Sequence, residues 1–408
     1  MNTLLRRLVV SATLCLPLAG QKPTPAAALL ANACNRFARD MNHELADAGH
    51  PTFSPASVAI TLLMLLPGAR GDTAKEIADV LHLPPDLRDS RMNTAAVELL
   101  ETVGIGVKRN PSRPGDGVFR MSNDLWAQSG YPIVPAFANT LRTTFAAASH
   151  DMDFAKDPEA ARKTINAHVA KTTNGRIAEL IPVGLLDSTT RVVLTNALWF
   201  KAPWVEPFHQ SGTVDAPFTL ADGTKVQVPT MNKRDDAAFV ESDAWTMVSL
   251  PFDGVSIQCD FVVPKDGATI AAAEAALLGD DWRKTKGESV TIALPRFRVR
   301  GEHSLAAALK ALGIRLAFDP AQADFSGINE KRELFVDELV HQTWIAVDEE
   351  GAEAAAATAT VWKAGAAAKP REPKVFKADR PFAFALRERG TGLLLFVGRV
   401  DDPRTPRD

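Results

Sequence analysis

Apolar positions follow two periods along this chain, and the change between them divides it. Over roughly its first 173 residues the spacing is mostly helical. Residues 24–47 place Leu29, Leu30, Cys34 and Phe37 at packing positions, and PTFSP at 51–55 ends that helix. A second helix is predicted with Ser57 as cap; Val58, Leu62, Leu63, Leu65 and Leu66 cover nearly every side of it, the mark of a buried central helix. A third is expected from Thr73, with Glu76 as its capping-box partner, and LPPD at 83–86 stops it. Residues 92–103, 131–145 and 160–173 complete the helical set, with one alternating strand at 119–127.

Beyond that point short apolar runs dominate. VVLTNALWF at 192–200 is apolar on both faces, as a mid-sheet strand is, and the prolines of KAPWVEPF are expected to stop it. Strands follow at 246–250, 256–263, 290–299, 382–386 and 392–400, with a hairpin around ADGT at 221–224 and helices at 269–278 and 304–312. Helices first and strands later, without regular βα alternation, define an α+β chain with antiparallel or mixed sheets. No Gly/Ser-rich linker divides it, so residues 24–403 are expected to form one large domain.

The segment 336–382 stands apart. VDELVHQTWIAVDEEG alternates as a buried strand, and FKADRPFAFALRERG starts another. Between them lie some two dozen residues, mostly Ala, Thr, Gly, Lys and Pro. Structureless loops longer than roughly 12–15 residues are uncommon in compact domains and are usually functional or disordered. EAAAATAT at 353–360 has alanines that favour helix, followed by Thr and Val that favour extended chain. Its side chains are small enough to enter a crowded sheet and apolar groups are few enough for it to stand in water.

Composition is that of an ordinary globular protein, 46 % hydrophobic and 23 % charged, with a net charge of -3 spread along the chain. Neither a nucleic-acid surface nor a polybasic membrane patch is suggested. Residues 1–20, with Arg6 and Arg7 ahead of an apolar run at 8–18, read as a secretory leader too short to span a bilayer. The chain is therefore expected to be secreted or periplasmic. Cys15 would leave with the leader; Cys34 and Cys259 alone make no disulfide framework. No later stretch is long and apolar enough to be a membrane span.

Catalytic motifs do not emerge. The eight His and three Cys form no HxH, HExxH or CxxC, and GxSxG, GxxxxGK[ST] and GxGxxG are missing, so neither an enzyme, a metal site nor a cofactor is expected. Asp348, Glu349, Glu350 and Glu353 read by themselves as a solvated loop edge, His341 as a satisfied strand histidine, and Trp204 as ordinary core.

An ordered set of segments nevertheless resembles one family. FSPASVAITLLMLLPGARGDTAKEI, MSNDLW, INAHVAKTTNGRIAELI, VVLTNALWFKAPWVEPF, VPTMNK, LPRFRV, LKALGI, DFSGI, VHQTWIAVDEEGAEAAAATAT, FKADRPFAFALR and LLFVGRVDDP are similar, in that order, to the signatures of serpins. The resemblance implies three β-sheets, eight to nine helices and an exposed reactive-centre loop, here 349–375. It implies a suicide inhibitor of serine proteases, expected to be a monomer. The protease serine attacks the loop and forms an acyl-enzyme. The loop then inserts into the central sheet and the tethered protease is distorted before hydrolysis. Ordering about 14 loop residues costs roughly 1–2 kcal/mol each in backbone entropy, which new strand pairing must exceed.

By position, the resemblance makes Glu349 the hinge acid, Gly351 the hinge glycine and Arg296 the basic partner of the acid. Trp204 lies near the insertion point. Ser54, Ser57, Asn196 and His341 match the polar cluster over which the strands part. The hinge continues through Ala352, Glu353, Ala354, Ala355, Ala356, Ala357 and Thr358, small enough apart from Glu353 for insertion. Counting from Glu349 puts the scissile bond at Gly365–Ala366, with Lys363 or Ala364 as alternatives because the loop is longer than usual. A non-inhibitory binding or chaperone-like member, and a cross-class inhibitor of cysteine proteases, stay open.

Overall fold

The computed structural model describes residues 23–46, 52–104, 118–352 and 372–404. Among them are nine α-helices: α1 (Pro25–Ala46), α2 (Pro55–Leu65), α3 (Gly71–Val80), α4 (Arg91–Thr102), α5 (Pro135–Phe145), α6 (Pro158–Thr172), α7 (Ile270–Leu278), α8 (Ala306–Leu312) and α9 (Ser326–Asn329). The strands are β1 (Val118–Gln128), β2 (Ala148–Met152), β3 (Val192–Pro203), β4 (Val214–Thr219), β5 (Lys225–Glu241), β6 (Trp245–Pro251), β7 (Ile257–Pro264), β8 (Lys286–Pro295), β9 (Phe297–Ser304), β10 (Val340–Val347), β11 (Gly351–Ala352), β12 (Lys374–Lys377), β13 (Phe382–Glu388) and β14 (Leu394–Val400).

One sheet has six strands in the order β2-β1-β3-β11-β10-β9. The second network runs β12-β8-β5-β6-β7-β13-β14, with β4 added to β5. The implied three sheets appear as two hydrogen-bonded networks because β5 is shared. Its first part pairs with β4, its middle with β8 and its last residues with β6.

Helix α2 is central, with nine of its eleven residues buried. Its cap differs from expectation. Ser54, not Ser57, is the N-cap: its Oγ accepts from the Ser57 N–H at 3.2 Å, and Pro55 occupies the first turn, where a missing N–H costs nothing. Helix α3 likewise begins at Gly71 rather than Thr73. Glu76 serves another element, accepting from the Arg315 and Leu316 N–H groups at 2.8 and 2.7 Å. Helix α5 starts at Pro135, four residues beyond the expected point. Strand β3 continues through Lys201 and Ala202 to Pro203, whose carbonyl accepts from the Asp253 N–H at 2.8 Å. A proline is tolerated there because it ends the strand.

The second network holds a fully buried ion pair. Arg387 Nε on β13 donates to Asp260 Oδ2 on β7 at 2.6 Å, and the side chains are 1 % and 0 % exposed. Ser249 Oγ and Gln258 Nε2 each donate to Asp260 Oδ1 at 2.6 Å, and Arg387 Nη2 donates to the Leu277 carbonyl at 2.6 Å. Every member therefore has partners, the condition under which a buried charge is tolerated. Cys34 and Cys259 are both free and buried, and burial pushes the Cys34 thiol up to about 12.

Candidate functional site: a seam in the six-stranded sheet

Strand β11 is two residues long and lies between β3 and β10. Ala352 pairs with Val347 on one side and Ala202 on the other, antiparallel to both. It follows that β3 and β10 run parallel to each other. Among the described residues, β11 is the only ladder that joins them. The chain leaves the top of β10, reverses over Asp348–Glu350 and starts downward along the seam.

The reversal is held closely. Asp348 N–H donates to the Gly351 carbonyl at 3.0 Å, and Asp348 Oδ1 accepts from the Glu350 and Gly351 N–H groups at 2.9 and 3.3 Å. Gly351 has φ +150°, and a Cβ there would overlap the Ala202 carbonyl oxygen and Pro203. Only glycine fits so close to β3. Ala352 is 0 % exposed and belongs to the main core.

Trp204 reads the backbone of the same turn. Its N–H donates to the Glu350 carbonyl at 2.8 Å and its Nε1 to the Asp348 carbonyl at 3.0 Å. The indole stacks on Phe252 with centroids 4.3 Å apart. The Phe208 N–H donates to the Glu349 carbonyl at 2.8 Å. Trp204 is thus core and a donor to the turn at once.

The acids are not a uniformly solvated edge. The Glu349 side chain is 4 % exposed and accepts from Arg296 Nε at 2.7 Å and Nη2 at 2.5 Å. Thr213 Oγ1 donates to the same oxygen. Burial opposes ionisation of Glu349, but the bonds from Arg296 and Thr213 outweigh it and hold the carboxyl below its ordinary 4.5. Burial pushes Asp348 and Glu350 the other way. Replacing Glu349 with glutamine is expected to destabilise the protein by about 1.5–3 kcal/mol, the usual worth of a hydrogen bond to a charged group. Because the Glu349 carboxyl is lowered, its contribution is present above pH 4.5 and lost as pH falls through the folded value. Urea unfolding at pH 7 checks the loss, and an unchanged midpoint would show the bond to be worthless.

A second polar cluster lies lower, beneath β3 and β10. Ser54 N–H donates to His341 Nε2 at 2.9 Å, so that nitrogen is an acceptor and the imidazole is neutral. Ser54 Oγ donates to the Leu395 carbonyl at 2.6 Å. Ser57 Oγ donates to Asn196 Oδ1, and Asn196 Nδ2 to Asn123 Oδ1 at 2.6 Å. The chain of bonds ends at the Phe145 carbonyl, 2.7 Å from Asn123 Nδ2. Helix α2, β1, β3 and β10 are therefore linked through side chains across the seam.

Burial, helped by the neighbouring His303, pushes His341 from 6.5 down to about 3. The unfolded chain binds this proton below pH 6.5 and the folded one does not, so stability is full above 6.5 and falls between 6.5 and 3. The slope is about 1.4 kcal/mol per pH unit, or about 2 kcal/mol lost on going to pH 5. His341→Asn should lack this component. Thermal unfolding of both proteins at pH 7 and 5 tests it, and equal acid sensitivity would remove His341 as the cause.

The outer face of the seam is covered. A separate core of Phe154, Ile165, Val169, Ile177 and Leu180 seats α6 and the segment after it on the sheet. Gln342 Nε2 on β10 donates to the Glu179 carbonyl at 2.6 Å, and the Arg176 guanidinium lies over the Trp344 ring at 4.5 Å. Helix α6 packs on β1 and β3, while residues 176–179 reach β10, so this unit straddles the seam.

Sequence reasoning missed Thr213 and Asn123. A threonine or asparagine in an ordinary strand or loop gives no local signal for partners so distant in sequence. Glu353, Ala354, Ala355, Ala356, Ala357, Thr358 and the scissile-bond candidates Lys363, Ala364, Gly365 and Ala366 lie outside the described residues, as does the expected leader at 1–20.

Comparison with known proteins agrees with this architecture. The family model described as serpin (serine protease inhibitor) matches residues 32–403. An uncharacterized serpin-like protein of Thermococcus kodakarensis is 35 % identical over 377 residues, covering 91 % of this chain and 85 % of its own. Leukocyte elastase inhibitor of Homo sapiens is 30 % identical over 389 residues, covering 92 % and 99 %. Among solved structures, Serpin48 of the insect Tenebrio molitor superposes with a TM-score of 0.75 at 30 % identity, covering 91 % of this chain and 98 % of that one. Thyroxine-binding globulin in complex with thyroxine gives 0.76 at 27 %, covering 92 % and 99 %. The chain belongs to the serpin family, and its α+β fold is the serpin fold.

Proposed function

We propose that this protein inhibits serine endopeptidases as a suicide substrate, trapping the acyl-enzyme by inserting its cleaved loop between β3 and β10. The observation that carries this reading is the seam: two parallel strands joined by a two-residue antiparallel start of a strand, Gly351–Ala352. A strand that continued from Ala352 would pair on both sides, turning a parallel gap into an antiparallel sheet.

The residues after Ala352 suit that path. Ala354, Ala355, Ala356, Ala357 and Thr358 add little volume, so insertion need not overpack the core. Under this reading Glu349, Arg296, Thr213 and Trp204 hold the turn from which insertion proceeds. Ser54, Ser57, Asn196 and His341 form the latch over which β3 and β10 separate. The bait bond is assigned to Gly365–Ala366, with Lys363 and Ala364 as alternative acyl-side residues. Residues 1–20 are read as a secretory leader from Arg6, Arg7 and the apolar run at 8–18, and with that reading goes action outside the cytoplasm.

The test is incubation with a panel of elastase-, subtilisin- and trypsin-like proteases. A complex that resists boiling in detergent, with release of the C-terminal peptide, is expected with at least one. Mass spectrometry of that peptide identifies the bond. Clean cleavage by every protease, with no complex and no gain in thermal stability, would overturn the reading.

A further inference from the structure

Three side chains that the inhibitory reading does not use converge at the edge of the six-stranded sheet. Asp124 lies on β1, His150 on β2 and His168 on α6. His150 Nε2 is 2.8 Å from Asp124 Oδ1, and His168 Nε2 is 3.2 Å from Asp124 Oδ2. One ligand atom from each residue lies within 4.8 Å of the others.

The placement follows from the fold. Asp124 and Trp126 are two apart on β1 and so share a face, the one that α6 covers. The parallel register sets His150 beside Trp126, and the two rings stack with centroids 4.0 Å apart. His168 meets the same indole edge-on at 5.3 Å. The carboxylate is 2 % exposed, whereas both imidazoles are half-buried. The cluster thus has a dry floor and an open side.

We propose that Asp124, His150 and His168 form a binding site for a Zn2+-class divalent metal ion, which pins α6 to β1 and β2. Two imidazole nitrogens and one carboxylate oxygen are a borderline donor set that suits Zn2+ or Co2+; Ca2+ and Mg2+ favour oxygen-rich sites. Ligands about 2.0–2.2 Å from a tetrahedral ion stand about 3.4 Å apart, so three ligand atoms that already lie within 4.8 Å of one another reach that spacing by small side-chain adjustments. Water takes the fourth position on the open side. The ligands come from three elements remote in sequence, so the unfolded chain offers no comparable site and binding raises the stability of the folded state.

A consequence rests on the inhibitory reading. The unit of α6 and residues 176–179 straddles the seam, so an ion that fastens α6 slows separation of β3 from β10. Metal-loaded protein is then cleaved as substrate more often, and the stoichiometry of inhibition rises.

Titrating the full chain with Co2+ is expected to develop one equivalent of a visible d–d band of tetrahedral intensity, displaced by Zn2+. Zinc should raise the unfolding midpoint. His168→Gln should weaken Zn2+ binding by at least roughly tenfold, and His150→Gln should do the same, while both fold with unchanged far-ultraviolet circular dichroism. These readouts use no protease, so failure of the inhibitory reading leaves them intact. Octahedral cobalt spectra, or Zn2+ affinity and thermal shift unchanged in both variants, would overturn the site and leave a carboxylate bridging two imidazoles by hydrogen bonds alone.

Discussion

Under the proposed insertion mechanism, Ala352→Arg is expected to convert the protein from a trap into a substrate. Ala352 is 0 % exposed and paired to Ala202 and Val347 at the head of the seam. A guanidinium placed there enters the core without a partner, and an uncompensated buried charge costs several kcal/mol. In the proposed mechanism the acyl-enzyme partitions between insertion and hydrolysis, and each 1.4 kcal/mol added to the insertion barrier shifts that partition about tenfold. The stoichiometry of inhibition should therefore rise at least about tenfold, with loop cleavage undiminished. The thermal gain that follows cleavage of the parent should also vanish. Ala352→Ser, small and able to bond locally, should retain complex formation. If the arginine variant forms detergent-stable complex in full yield, insertion through this seam is not the mechanism.

Asp260→Ala is expected to destabilise the fold by about 3–5 kcal/mol, because it strands the Arg387 guanidinium in the core. Arg387 is 1 % exposed and after the change keeps the Leu277 and Gly392 carbonyls and the Trp282 ring, none of which carries a compensating charge. Ser249 and Gln258 lose their shared acceptor as well. Paired replacement by Asp260→Leu and Arg387→Met should recover most of the loss, since well-packed apolar groups often match a buried ion pair. Chemical denaturation monitored by tryptophan fluorescence measures both. A single variant within 1 kcal/mol of the parent would mean that water reaches Arg387.

The two predictions separate function from stability. The first acts on a residue at the head of the proposed insertion path. The second acts on a network in the other sheet. Asp260 and Arg387 were unremarkable in sequence, since an aspartate and an arginine far apart along the chain carry no sign of pairing. Their pairing exists only because β7 and β13 are neighbours.

Much of the architecture was legible from periodicity. Helix α2 was marked as central by apolar residues on every side, and β3 as a mid-sheet strand by its unbroken apolar run. Start points were harder. Ser57 and Thr73 resembled caps, yet Pro55 moved one start back to Ser54, and Glu76 was drawn to the N–H groups of Arg315 and Leu316. Local capping signals compete with tertiary partners, and a carboxylate serves whichever N–H groups the fold brings to it.

The segment 348–352 shows the division most clearly. By itself the sequence determined that this stretch follows a buried strand, carries acids and a glycine, and leads into small residues able to stand in water or in a sheet. The ordered motifs determined the family. Only the tertiary structure decided that Glu349 is buried against Arg296 and Thr213 while Glu350 is not, and that Gly351 passes too close to Ala202 for a Cβ. It alone brought Asp124, His150 and His168 together. The physical reason is the same in each case. Periodicity records which face of an element avoids water, a local property of the chain. Charge pairing, close backbone approach and metal geometry depend on distances between elements, which are set when strands remote in sequence become neighbours.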